Sequence, residues 1–140
     1  MSLLSWSFLL LTIICWGVTP ILEKIALKQA NLIDGLLVRS IGVFCAFLIV
    51  ASVTGRVRHL TQVPFKSFLL FIASGITAGF LGMYFYLYIL KTNPSSKVVP
   101  LAAIYPLVTV ILSALFLGEN FTWQRVAGTI FIITGVLLIR

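Results

Sequence analysis

The chain has 140 residues, of which 61% are hydrophobic and 9% charged, with a formal net charge of +7. A soluble domain of this size could not enclose that much apolar surface, so its solvent is lipid; at roughly 20 apolar residues per crossing, about five helices fit, with no separate soluble domain. The charge does not point to nucleic acid, because the Lys and Arg residues stand singly at the ends of apolar runs and form no basic stripe interleaved with aromatics.

Five apolar runs follow one another at 3–27, 35–53, 67–90, 98–117 and 122–139, separated by short polar breaks. None alternates with period two, so the chain is expected to be all-α: a polytopic membrane protein whose spans satisfy their backbone groups internally. The chain enters the first run from Met1 without a basic region or a cleavage signal, which predicts a retained first span. Thr12, Trp16, Thr19, Pro20 and Glu23 share one helical face there, polar and aromatic in an otherwise apolar helix. Pro20 frees the Trp16 carbonyl and Gly17 adds permissiveness, which predicts a kink on that face.

Arg39 opens the second run, and Glu23 and Arg39 lie at comparable distances either side of the 29–34 connection, so an antiparallel hairpin brings them together. Lys24 and Lys28 compete for the same carboxylate. Ionisable groups at membrane depth are paired or face a water-filled cavity, so this pair reads as a gate or substrate contact, or else as an interfacial ion pair setting helix depth. Cys15 and Cys45 fall inside spans and read as packed thiols.

The third run carries small residues at helical spacing, Ser74, Ala78 and Gly82 on one stripe and Gly75 with Gly79 beside it, which allow close helix approach. Near its end Tyr84 and Tyr88 share a face and could line a cavity; Tyr86 does not share that face. The fourth run holds Pro100 and Pro106, which predict a broken or bent helix, with Thr109 and Ser113 on the face of Pro106. The fifth run is the least secure span, reaching across with Arg125 snorkelling and Trp123 at the interface.

With five spans the termini fall on opposite sides. One side then carries Arg56, Arg58, Lys66 and Arg125, and the other Lys24, Lys28, Arg39, Lys91, Lys97 and Arg140. So small a bias orients the chain weakly, and it fits one half-unit of an inverted-repeat transporter whose second half is an oppositely inserted copy. No catalytic constellation, metal-ligand spacing or phosphate-binding glycine loop occurs: His59 is the one histidine, and the acids are Glu23, Asp34 and Glu119. The expectation is a non-enzyme without cofactor or metal, whose transport runs on a gradient or on another subunit.

Trp16-Gly17 with Pro20 and Lys24, Arg39 entering the second span, Val99-Pro100, Tyr105-Pro106, Leu117-Gly118-Glu119, then Gly128 and Gly135 follow an order across the spans that resembles the EamA-like domain of the drug/metabolite transporter superfamily. The resemblance covers nearly all of residues 1–140 as a single domain. Members usually join two such domains with inverted halves around a central cavity and export amino acids, nucleobases or other metabolites by alternating access. It implies here a dimeric secondary exporter of a small amino-acid-like or amphipathic solute, as an antiparallel homodimer or paired half-transporter in the cell (inner) membrane of a prokaryote. A flippase subunit for a lipid-linked sugar or headgroup, or a non-transporting membrane partner protein, are the alternatives. The related small multidrug family places a membrane-embedded Glu mid-way along its first helix, whereas Glu23 lies late in the run beside Lys24, which weakens cation export of that style. Glu119 looks like a mark of the fourth turn, where Gly118 ends one helix and Thr122 caps the next.

Overall fold

The computed structural model describes residues 2–119 and 122–138; Ile139, at the end of the fifth apolar run, and Arg140 lie outside them. Among the described residues there is no strand. Among the same residues four helices are long and apolar enough to cross a membrane: α1 (Leu3–Ala26), α2 (Leu32–Val53), α3 (Phe65–Thr92) and α4 (Ser95–Leu117). A fifth, α5 (Trp123–Leu138), is apolar but shorter, with 16 residues. At 1.5 Å per residue it reaches about 24 Å, less than the roughly 30 Å of hydrocarbon. The chain forms two compact units, Met1–Lys91 and Thr92–Arg140.

In the first unit, α1 starts at Ser2, whose Oγ accepts a hydrogen bond from the Ser5 amide at 3.2 Å. The helix then runs on through Gly17 and Pro20 to Ala26. Asn31 precedes α2, which begins at Leu32 rather than at the apolar residue 35, so Asp34 falls in its first turn, where a negative charge meets the positive helix end. Thr54 and then Gly55, at φ 66°, end α2; the left-handed conformation is one glycine adopts without the Cβ penalty. A short 3-10 helix, Arg56–Gln62, and Pro64 lead into α3. Cys15 and Cys45 are free and lie on exposed faces of α1 and α2, so they are not packed as the sequence reading expects.

α3 is not one regular helix. Between α-helical Phe65–Ser74 and Met83–Thr92 lies a π-helical segment, Gly75–Gly82, in which hydrogen bonds close over five residues instead of four. Its glycines are the ones that read as a packing stripe. A Cβ placed on Gly82 would lie 3.2 Å from the Thr77 carbonyl oxygen, five residues earlier, whereas one on Gly79 would meet nothing within 4 Å.

In the second unit, Pro94 sets the entry to α4, and the helix is interrupted at Ala103 and Ile104. There the amides of Ala103 and Ile104 reach the carbonyls of Pro100 and Leu101, at 3.1 and 3.3 Å. Pro106 explains the break: it has no amide to give the Ala102 carbonyl, and it stands in the first turn of the helical segment that resumes at Tyr105, where a missing amide is tolerated. Gly118, at φ 65°, ends α4, its amide and that of Glu119 both turning to the Ser113 carbonyl. Thr122 Oγ1 then accepts from the Arg125 amide at 3.4 Å, and Arg125 pairs with Glu119 at 3.3 Å across the turn.

Gly82→Ala forces the π segment to shift by a few tenths of an ångström against backbone, whereas Gly79→Ala meets open space and removes unfolded-state freedom. Unfolding of the purified protein in detergent is therefore expected to show stability lowered by about 1 kcal/mol for Gly82→Ala, and unchanged or raised for Gly79→Ala.

Candidate functional site

The C-terminal end of α1, the N-terminal end of α2 and the C-terminal end of α3 converge within the first unit. Two consecutive residues of α1 bring this about. Glu23 faces α2, where Arg39 Nε lies 3.4 Å from Glu23 Oε1. Lys24 faces α3, donating from Nζ to the Leu90 carbonyl at 2.6 Å and to the Lys91 carbonyl at 3.1 Å. Those carbonyls belong to the last turn of α3, which leaves its acceptors without intrahelical donors and carries the negative end of the helix dipole, so an ammonium there is doubly favoured. The ion pair of Glu23 is thus made by Arg39, while the Lys24 ammonium serves the end of another helix.

Beside this junction lies a cleft of about 420 Å³, lined from α1 by Thr19, Leu22, Glu23 and Ala26, from α2 by Asp34, Gly35, Val38 and Arg39, and from α3 by Leu87, with Leu27 and Ala30 from the connection. Its volume falls within the roughly 300–1,000 Å³ of small-molecule sites. Leu87 and Leu27 are buried and form the floor of apolar contact. The Glu23 side chain is 13% exposed, against 38% for Arg39. The ion pair is longer than the roughly 2.7–2.9 Å of a charge-assisted hydrogen bond, and neither Glu23 oxygen, both shielded, has a hydrogen-bond partner. Arg39 therefore covers the carboxylate without satisfying it.

Of the residues singled out in the sequence, the structure brings Thr19, Glu23 and Arg39 together in this cleft. Thr12 and Trp16 lie earlier on α1 and do not line it; the Thr12 hydroxyl donates to the Phe8 carbonyl at 2.9 Å, and Trp16 is 65% exposed. The Thr19 hydroxyl likewise donates to its own helix, to the Cys15 carbonyl at 2.8 Å. From α3, Tyr84 is half-buried with its ring edge-on to Phe85, and Tyr88 is exposed. Thr109 and Ser113 belong to the second unit, where their hydroxyls donate to the carbonyls of Tyr105 and Val110. A smaller apolar groove there, between Leu107, Val110 and Ile111 of α4 and Val126, Thr129 and Ile130 of α5, includes neither of them.

Other residues at or beside the cleft were not singled out in the sequence. Asp34 lines the cleft, although by sequence it reads as part of a connection. Leu87 supplies the contribution of α3. Tyr86, half-buried, stands within electrostatic reach of Glu23, on the face the tyrosine spacing had set aside. Among the described residues no cluster of His, Cys, Asp and Glu is arranged to hold a metal ion.

The EamA-like transporter family matches residues 3–140 of the chain. An uncharacterized protein of Methanocaldococcus jannaschii is 30% identical over 130 residues, covering 93% of this chain and 91% of its own. No solved structure matches.

If Lys24 ties α1 to α3, its removal leaves two carbonyls without their donor, one of them on the fully buried Leu90. Lys24→Met is expected to lower stability in detergent by about 1–3 kcal/mol, while Lys28→Met, at an exposed position, changes it by less than about 0.5 kcal/mol.

Proposed function

Because the chain belongs to the EamA-like transporter family, we propose that it is a gradient-driven secondary transporter, an exporter of a small amino-acid-like or amphipathic metabolite, working as a dimer by alternating access. It is a multi-pass integral membrane protein of a transporter family. The observation that carries the finer reading is the Glu23–Arg39 cleft: a concave, mostly apolar site with a few convergent charges, built at the junction of three spans. A solute that enters it loosens the contact between α1 and α2, which couples occupancy to helix movement.

The weak Lys and Arg bias supports a partner copy inserted the other way, one chain forming one half of the transporter. Similarity to a protein of an archaeal organism supports the cell membrane of a prokaryote.

Two measurements test this. A reporter fused after the last residue, in one version active only in the cytoplasm and in another only outside, is expected to give comparable signals; a signal from one version alone removes the oppositely inserted homodimer. In proteoliposomes, Glu23→Gln or Arg39→Gln, in the cleft, is expected to impair solute flux at unchanged membrane insertion, and full flux in both removes the cleft from the pathway. Accumulation of a lipid-linked intermediate on deletion, with soluble export intact, points instead to a flippase.

A further inference from the structure

The connection between α2 and α3 is built on a period of three. Gly55, at φ 66°, turns the chain out of α2, and Pro64 confines Val63 to extended backbone before α3 begins. The 3-10 helix between them, Arg56–Gln62, places residues three apart above one another. Two contacts follow that period: His59 Nδ1 lies 2.9 Å from Gln62 Oε1, and the Thr61 hydroxyl donates to the Arg58 carbonyl at 3.4 Å. Arg56, His59 and Gln62 therefore share one face and Arg58 and Thr61 a second, while Val57 and Leu60 form a third, with Val63 next at the same spacing. The apolar face is open, Val57 being 46% and Leu60 64% exposed.

Among the described residues no carboxylate pairs with Arg56, Arg58 or Lys66, all of them exposed. Glu23 is engaged with Arg39, Glu119 with Arg125, and Asp34 stands in the first turn of α2, about 28 Å along the helix from Val53. Lys66 moreover lies in the first turn of α3, where no acid stands and the helix dipole disfavours a cation. Both flanking helices are long and apolar enough to cross a membrane, so their connection stands within a few residues of the hydrocarbon boundary. An apolar face beside basic ones at that depth matches acyl chains under a layer of phosphate groups.

We propose that Arg56–Gln62 docks on a bilayer surface of anionic phospholipids, with Val57, Leu60 and Val63 turned to the acyl chains and Arg56, Arg58 and Lys66 holding headgroup phosphates. Anionic lipid thereby fixes the connection between α2 and α3 to its leaflet, whether or not the chain transports a solute. Zwitterionic headgroups hold it less well, because their phosphate is already matched by a cation of their own. A second copy of the chain is also a poorer cover, since it brings ten Lys and Arg residues against three acids to a connection that is itself basic.

The test puts a fluorophore on the full chain, with Cys15→Ser and Cys45→Ser, either at Leu60→Cys or at Thr61→Cys, one residue on and on another face. The protein is reconstituted in vesicles of phosphatidylcholine alone or with a quarter phosphatidylglycerol; both leaflets carry the same lipid, so either orientation reports. Quenching by acrylamide, a neutral molecule present on both sides, is compared with quenching by lipids that carry a doxyl group high on the acyl chain. The label at residue 60 is expected to be about threefold less accessible to acrylamide in the anionic vesicles than in phosphatidylcholine, and to be quenched there by the doxyl lipid. The label at residue 61 stays open to acrylamide in both. Salt at about 1 M, where the screening length falls to about 3 Å, returns residue 60 to its phosphatidylcholine value. Arg56→Gln, Arg58→Gln and Lys66→Gln together do the same, and the salt arm decides the matter if that variant fails to fold. Equal accessibility at the two positions, or shielding of residue 60 that ignores lipid charge and salt, overturns the proposal. Shielding that grows instead with the amount of protein per vesicle also overturns it, and assigns the face to a second copy.

Discussion

The dipeptide Glu23-Lys24 imposes the constraint on which the first unit is organised. Two opposite charges in succession near the end of an apolar helix cannot neutralise each other well, because consecutive helical side chains diverge by about 100°. Each must find a partner on a different neighbour. Glu23 finds Arg39 on α2, and Lys24 finds the carbonyl end of α3. Three spans are thereby tied at one end by side chains from a single turn, and the cleft is the space these ties leave between them.

The two ties differ in quality. Lys24 meets its acceptors at hydrogen-bonding distance and adds a donor to a helix terminus. Glu23 is held loosely, its oxygens shielded but unbonded. Hydroxyl groups in the spans do not compensate. Thr12, Thr19, Thr77, Thr129 and Thr134 each donate to a carbonyl four residues back, the usual answer of a hydroxyl in an apolar medium. Of these only Thr19 lines the cleft, and its proton is engaged by the Cys15 carbonyl.

The spans were legible in the sequence because lipid requires long uninterrupted apolar runs, and the helices extend past those runs by a few residues at their ends, as with Leu32–Asp34 of α2, Lys91 and Thr92 of α3 or Ser95–Lys97 of α4. The approach of Glu23 to Arg39 follows from their places either side of a short connection. The partner of Lys24 does not, since it lies 66 residues away and is a backbone carbonyl, a group every residue carries. Tyr86 escaped because the tyrosine spacing favours the face of Tyr84 and Tyr88, all three in regular helix, and the π segment escaped for a different reason. Face assignments along 67–90 assume a constant helical phase, and Gly75–Gly82 departs from it, so the residues downstream no longer follow the period of those upstream. The interruption of α4 was readable because proline acts locally.

That same segment bears on how this chain aligns with its relatives. A π turn is the conformational equivalent of an inserted residue, accommodated inside a helix rather than in a loop. A relative that keeps α3 regular would have to shed residues within the 75–82 stretch to hold Leu87 and Leu90 on the same side of the helix. Gaps inside a membrane span, ordinarily a sign of misalignment, are at this place the expected trace of divergence.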